Sequence, residues 1–333
     1  MSAFTKTVGL TYDLKTDYQF KEGDPADANA EFDHASTIDV IAAAIEANGF
    51  KLKRIGNATR LLEQIDNLDV DIVFNISEGL GGRNRESQVP ILLEMAGVPF
   101  VGSDALTLGI TLDKIMAKKV FISEGISTPK FFEIKNIEGL KDADHLRFPL
   151  IVKPRFEGSS KGLSDNSRVA DMGGLKKQAE LIVNTYKQPA LVEEFITGQE
   201  FTVAVVGNTP AQAFPVVQVE IDGSVDLGDK FYTFARIASD RLRYVCPARI
   251  SKELTKKIQD MAVRAYDSVD CLDFGRVDFR VDKNGQPYVL EINPLPSLST
   301  EDVFQLISNV TGITYQEMIG KILGCALKRY NLN

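Results

Sequence analysis

With 333 residues the chain is long enough for two or three domains with their own cores, and 44% hydrophobic with 25% charged residues is ordinary globular composition, not that of a disordered chain. A net charge of −8 argues against a nucleic-acid or anionic-membrane partner, since both need clustered positive charge, so any anionic ligand must be held by local cations. Cys246, Cys271 and Cys325 are widely spaced without a CxxC, which indicates neither a disulfide framework nor a zinc site and fits a reducing cytoplasm. His34 and His145, among polar neighbours, read as surface residues and leave histidine chemistry few candidates.

The first ten residues lack a basic start followed by a long apolar core, and no apolar run reaches spanning length, so neither export nor membrane embedding is expected. Thr7 to Tyr12 reads as a strand. Ser36 or Thr37 could cap a helix from Ile38 to Asn48, whose Ile38, Ile41, Ala42 and Ile45 share one face. Lys51 to Ile55 is a second strand, Leu61 to Ile65 part of a helix, Asp71 to Ile76 a third strand and Val89 to Ala96 a helix. This alternation implies a doubly wound parallel sheet with ligand-binding loops at the carboxyl ends of its strands. No GxGxxG follows the first strand, so a dinucleotide fingerprint is absent. The loop Ser77 to Glu86 lies at the third strand's carboxyl end, which makes Glu78, Arg83, Arg85 and Glu86 candidates for facing a substrate; a solvated loop accounts for them equally well.

A domain boundary falls near Val98 to Ser103, and a helix runs from Asp113 to Glu124. After a strand from Lys130 to Ile134 comes the buried strand Phe148 to Pro154, which places Lys153 among apolar residues, where its ammonium needs an anion. Arg155 to Leu163 follows, and its glycines, backbone N–H groups and the hydroxyls of Ser159 and Ser160 can cradle phosphate oxygens beside Glu157. A polar helix near Met172 to Tyr186 precedes strands at Pro189 to Ile196, Gly198 to Val203 and Gln212 to Val219. Glu193-Glu194-Phe195-Ile196 can supply backbone groups and an apolar slot for a base, or form a solvated strand edge. Asp226 to Cys246 is long, polar and aperiodic, as a lid or a disordered surface excursion is. Helices are expected at Lys252 to Val269, Asp302 to Val310 and Tyr315 to Leu327.

Between them lies Leu272 to Leu298, reading LDFGRVDFRVDKNGQPYVLEINPLPSL. Two apolar runs, Gly275 to Val281 and Pro287 to Ile292, flank a turn containing Asn284-Gly285, a hairpin signal. Alternation puts Arg276, Asp278 and Arg280 on one side of the first strand and Glu291 and Asn293 on one side of the second, with Val277, Phe279, Val281, Leu290 and Ile292 opposite. Asp278, Glu291 and Asn293 are hard oxygen ligands suited to Mg²⁺ shared with phosphates; a solvated hairpin face is the plain alternative.

GRVDF followed by YVLEINPLP resembles the metal-binding end of the ATP-grasp ligases and, more narrowly, of the D-alanine–D-alanine ligase family. GVPFVGSDALTLGITLDK, Gly97 to Lys114, matches that family's Gly-x-Pro-[FY]-x-Gly-Ser run. The resemblance implies an α/β (α+β) three-domain architecture: a doubly wound N-terminal domain at residues 1–100, a central ATP-grasp subdomain at 101–188, and a C-terminal subdomain at 189–333 carrying the metal and catalytic site. It implies ATP with two Mg²⁺ ions, Mn²⁺ being a possible substitute, and nucleotide contacts from Lys114, Lys153, Glu157, Ser159, Ser160, Lys230, the hinge Glu193 to Ile196, and Glu200 on the ribose. A carboxylate would take the γ-phosphoryl group, and an amine would then attack the acyl phosphate with Arg276 on the oxyanion, while Ser159 and Lys230 close over the site. Amino-acid or amine substrates and a homodimer follow from the same resemblance.

Three departures bear on the substrate. The segment that contacts the first amino acid's ammonium is absent, Glu31 being a loose counterpart, while Glu86 stays a candidate for facing a substrate. Phe231 stands where the lid tyrosine is expected, with Tyr232 adjacent. The Ser-Leu pair that holds the second carboxylate becomes Asp302-Val303, and Ser297 replaces a glycine. Asp302 would repel an incoming carboxylate. The acceptor is then an amine lacking that carboxylate or offering a cationic group, or Ser299 or Thr300 binds the carboxylate instead. A ligase of another amino acid or amine pair, or a nucleotide-binding protein without turnover, is the alternative reading.

Overall fold

In this computed structural model, residues 5–136, 140, 146–237 and 239–332 are described, so His145 lies outside the described residues. The elements run β1 (Thr7–Tyr12), α1 (Ala35–Ala47), β2 (Lys51–Gly56), α2 (Ala58–Gln64), β3 (Ile72–Ile76), α3 (Gln88–Ala96) and β4 (Phe100–Val101). Next come α4 (Ala105–Leu112), α5 (Lys114–Ser123), β5 (Phe131–Ile134), β6 (Leu150–Pro154), β7 (Arg168–Val169), α6 (Met172–Leu181) and β8 (Ala190–Glu194). The last stretch holds β9 (Gly198–Val206), β10 (Gln212–Ala213), β11 (Val217–Ile221), α7 (Phe234–Ile237), β12 (Leu242–Val245), α8 (Lys252–Asp267), β13 (Phe274–Asp282), β14 (Pro287–Asn293), α9 (Val303–Thr311) and α10 (Tyr315–Arg329).

The first sheet is parallel throughout, in the order β2-β1-β3-β4, as the β–α alternation requires. Its two faces are covered by different parts of the chain. Val8, Leu10 and Phe74 pack with Ile38, Ile41 and Ile45 of α1 and with Met318, Ile322 and Leu323 of α10, whereas Val73 packs with Leu61 of α2 and Val89 and Leu93 of α3. Closing one face with the C-terminal helix ties the two ends of the sequence into one core. Asp273, fully buried, strengthens that junction by accepting from the Gly102 amide at 2.9 Å and from Arg329 at 2.7 Å.

The central sheet has the order β5-β8-β6-β7 and the third β12-β11-β9-β13-β14, both antiparallel. Because β8 pairs with β5 and β6, the central sheet extends past the division expected at residue 188. Other expectations also shift. Helix α1 begins at Ala35 behind His34, with neither Ser36 nor Thr37 as cap. The expected helix from Asp113 becomes α5, capped by the Asp113 side chain, and is preceded by α4, which has its own cap in Asp104. The expected strand at 212–219 is split into β10 and β11, and the long polar segment contains α7 and β12. The hairpin turn spans residues 283–286, with Gly285 at φ +74°, and is longer than the two-residue Asn-Gly type. A bulge beside Phe279 puts Val289 opposite it, so Val289 is buried and Leu290 half-buried, the reverse of simple alternation.

Candidate active site

The antiparallel register of β13 and β14 sets Arg276 opposite Asn293 and Asp278 opposite Glu291, so the three expected oxygen ligands share one face. Asp278 accepts from Arg276 Nε and Nη2, both at 3.0 Å, from Thr202 Oγ1 of β9 at 2.6 Å and from Asn293 Nδ2 at 2.9 Å. Since Asn293 spends its NH₂ on Asp278, its amide oxygen is the atom left to face a cation. Glu291 meets Lys114 Nζ at 2.8 Å. Burial alone would push Glu291 up, but Lys114 and Lys153 outweigh it and hold the carboxyl at about 2, fully ionised at neutral pH. Two carboxylates and one amide oxygen suit a hard divalent ion that completes its shell with phosphate and water, and they explain why no set of three or more His, Cys, Asp or Glu ligands occurs among the described residues.

Facing this end is a cluster of lysines. Lys114 opens α5, and Lys153 lies next to the end of β6 with its Nζ 2.7 Å from Glu193 of β8. Glu193 is shared: Lys118, one turn after Lys114 and fully buried, lies 2.5 Å from its other oxygen and donates to Thr128 at 2.7 Å. Burial pulls the Lys118 ammonium down to about 8 even with Glu193 beside it. For Lys153 burial also opposes the charge, yet Glu193 and Glu291 together leave it raised. Thus the lysine end and the carboxylate end are joined directly by Lys114 and Glu291.

On the far side of Lys153, Glu200 pairs with Arg280 at 3.1 Å, and burial lifts Glu200 to about 7. The Arg280 guanidinium lies 4.7 Å from the Phe195 ring centre, and Phe195 meets Phe231 edge-on at 5.7 Å, forming an apolar wall at the hinge. Arg280 also donates to the carbonyls of Lys230 and Gly228, fastening the start of the long polar segment to β13. Glu194 accepts from the Arg147 amide at 3.2 Å, and Ile196 follows Phe195 in the connection to β9.

The loop after β6 is held by the N-terminal segment. The Gly158 amide donates to Glu31 at 2.6 Å and the Gly162 amide to Asp27 at 2.8 Å, while Tyr186 also donates to Asp27. Arg85 joins the same knot, its Nη2 on Glu31 at 2.5 Å and its Nη1 on the Phe156 carbonyl at 2.6 Å. Lys161 bridges Glu31 at 3.2 Å and Glu157 at 2.5 Å. Burial works against Glu31, but Arg85 and Lys161 overcome it and keep the carboxyl below its usual range. Ser159 and Ser160, at φ +46° and +56°, form the tip, with side chains that make no hydrogen bond among the described residues.

Residues 121–324 match the family model described as D-ala D-ala ligase C-terminus, more than half of the chain. The chain belongs to the D-alanine–D-alanine ligase family. It is an ATP-dependent ligase of ATP-grasp architecture. A D-alanine–D-alanine ligase of Bordetella avium is 34% identical over 70% of this chain and 72% of its own length. The uncharacterized protein y4sG of Sinorhizobium fredii is 39% identical over 78% of this chain and 75% of its own. Among solved structures, the D-alanine–D-alanine ligase of Bacillus anthracis complexed with ATP superposes with a TM-score of 0.75 at 22% identity, over 98% of this chain and 99% of the other.

Within this ligase several expected site residues sit elsewhere than the motifs suggested. The Lys230 ammonium lies on Asp222 at 2.8 Å and is nearly half exposed, so it is not part of the lysine cluster. Glu157 is taken up by Lys161 and by Gln188, 2.7 Å away, and the amides of Gly158 and Gly162 are already paired with carboxylates, which leaves the loop tip as its open part. Asp302 caps α9, accepting from Val303 at 2.6 Å, and stands 3.8 Å from Arg276. The Ser297 hydroxyl accepts from the Ser299 amide at 3.3 Å, and Thr300 lines a surface groove with Val40 and Tyr315, so neither Ser299 nor Thr300 is drawn into the Arg276 cluster. Sequence reasoning missed Lys118, Thr202, Asp27 and Arg280's tie to the lid. Only Lys118 had a local signal, its i+4 spacing from Lys114.

Proposed function

We propose that this ligase joins two amino acids, activating the carboxylate of one as an acyl phosphate and attacking it with the amine of the other. The observation that carries this reading is the 2.8 Å contact between Lys114 and Glu291, which links the lysine cluster to the Asp278–Glu291–Asn293 face. A triphosphate lying along that line meets Lys153 and Lys114, and its base reaches the Phe195–Phe231 wall with Glu200 toward the ribose. Asp278, Glu291 and Asn293 would hold two Mg²⁺ ions, or Mn²⁺ in their place, which when bound neutralise the phosphate oxygens.

The donor carboxylate oxygen attacks the γ-phosphorus as the bond to ADP breaks. The acceptor amine then attacks the acyl carbon, and Arg276, fixed on edge by two bonds to Asp278, faces the oxyanion that forms before phosphate leaves. The Ser159–Ser160 tip excludes water that would hydrolyse the acyl phosphate. A phosphate contact from Lys230 would require its release from Asp222. By analogy with the family we place the enzyme in the cytoplasm and propose a homodimer. No helix of the described residues is long and apolar enough to cross a membrane.

Phosphate release with ATP, Mg²⁺ and a panel of D- and L-amino acids, with hydroxylamine trapping of the acyl phosphate and mass spectrometry of products, tests this reading. Substrate-dependent phosphate with a matching dipeptide is expected. No substrate-dependent phosphate across the panel would overturn it.

A further inference from the structure

The two lysines that a triphosphate would meet stand on different elements, Lys114 on α5 and Lys153 on β6, so both reach one ligand only if those elements are held in register. Arg155, the first residue past β6, holds them with its backbone and its side chain together. Its N–H donates to the Pro189 carbonyl at 3.2 Å, which ties it to the start of β8, and its own carbonyl accepts from the Lys114 amide at 3.3 Å. Its guanidinium meets the Asp113 carboxylate with two parallel bonds, Nε to Oδ1 at 2.7 Å and Nη2 to Oδ2 at 2.5 Å. Asp113, fully buried, caps α5 by accepting from the Met116 amide at 3.2 Å, and it is the residue before Lys114.

The third nitrogen of the guanidinium, Nη1, lies 2.5 Å from Glu133 of β5. With all three nitrogens committed to carboxylates, Arg155 has no donor left for a ligand, and any part it takes in phosphate binding passes through Asp113. A paired fork of this kind fixes the angle between its partners as well as their distance, which a single contact does not. Asp113 has one other cation, Arg83 at 3.1 Å, whose side chain is 59% exposed and comes from the loop after β3. A long exposed side chain gives up much of its freedom to hold one geometry, so Arg83 is a weak substitute for Arg155.

We propose that Arg155 is a positioning residue for the nucleotide phosphates: through Asp113 it sets the first turn of α5, and with it the Lys114 ammonium, against the Lys153 end of β6. The proposal rests on the phosphate contacts given to Lys114 and Lys153 in the ligase reading, and it deepens that reading. It separates Arg155 from a surface ion pair that serves stability alone.

The test measures dissociation constants by calorimetry for ATP with Mg²⁺ and for adenosine, which has no phosphate. Arg155→Ala should weaken ATP by about tenfold or more, the order of one charge-assisted contact, and leave adenosine unchanged. Asp113→Asn keeps a capping side chain and loses the ionic fork, so it should act in the same way. The double variant should be no worse than either single, because both changes cut one link. Glu133→Ala removes only the outer partner and should leave ATP affinity at the wild-type level. In steady state the loss should appear in KM for ATP ahead of kcat. Should Arg155→Ala not fold, Arg155→Lys carries the same comparisons, with an intermediate loss expected from one contact in place of two. Wild-type ATP affinity in the folded Arg155 variant, equal losses for ATP and adenosine, additive losses in the double variant, or a Glu133→Ala loss matching that of the Arg155 variant would each overturn the proposal and leave the ligase reading intact. Wild-type protein that binds no ATP would overturn both.

Discussion

The fully buried Lys118 offers a sharp test of how the lysine cluster is built. Glu193, 1% exposed, sits between Lys118 at 2.5 Å and Lys153 at 2.7 Å, so one buried anion orders two buried cations. Lys118→Met keeps the volume and removes the charge. Breaking a buried pair by deleting one partner costs about 3–5 kcal/mol, and because Glu193 keeps Lys153 the expected loss lies at the lower end, about 3 kcal/mol. Lys153→Met should cost a similar amount for the same reason. In the double variant Glu193 is left charged and dry, so the combined loss should exceed the sum of the singles. Adding Glu193→Leu should restore much of it, since a buried triad can be replaced by apolar side chains at little cost. Urea unfolding of the four proteins measures this directly. In the single variant the Lys153 ammonium is drawn harder onto Glu193, so KM for ATP should rise several-fold with a smaller change in kcat. A loss below about 1 kcal/mol for Lys118→Met, or simple additivity in the double variant, would refute the idea that Glu193 is the shared anchor.

Other consequences are checked as readily. Arg276→Ala should lower kcat on the order of a hundredfold while KM for ATP stays near wild type, because Asp278 keeps Thr202 and Asn293; unchanged turnover in phosphate-release assays would remove Arg276 from the mechanism. Stability without ligand should fall as pH rises from about 4.5 to 7. Glu86 and Glu200 both have folded values of about 7, so within that window the folded state binds more protons than the unfolded one, worth about 3 kcal/mol per group. Urea midpoints from pH 5 to 8 should show the decline, and Glu86→Gln should flatten part of it. Gly158→Ala places a Cβ 2.8 Å from Glu31 Oε1, a carboxylate already clamped by Arg85 and Lys161, so the loop should detach. The expected signs are faster proteolysis near residue 158 and slower turnover, and protection equal to wild type would count against the clamp.

What was legible in the sequence is what short-range pattern controls. The alternation in GRVDF and YVLEIN brought Arg276, Asp278, Glu291 and Asn293 onto one face because adjacent strands of a short hairpin have little freedom of register. Even there the bulge at Leu290 was hidden, since nothing in the composition of PYVLEIN marks where an extra residue is absorbed. Lys153 was found because a lysine in an apolar strand needs an anion, but the anion turned out to be Glu193 on the neighbouring strand. The contacts that went unseen are those in which two distant segments settle each other's charge. Glu31 is 54 residues from Arg85 and 127 from Gly158, and neither separation leaves a local trace. The same holds for Lys230, whose match to the family's loop lysine suggested phosphate while Asp222, eight residues back, holds its ammonium. Glycine-rich loops and lysines can therefore be read as capable of binding phosphate, but which of their donors remain open depends on acids contributed from elsewhere in the fold. In this ligase those acids have taken Gly158, Gly162 and Lys161, Lys114 and Lys153 each face an acid of their own in Glu291 and Glu193, and the hydroxyls of the serine tip stay without a hydrogen bond among the described residues. The groups that remain open, and not the motif as a whole, therefore limit where a phosphoryl group could be held.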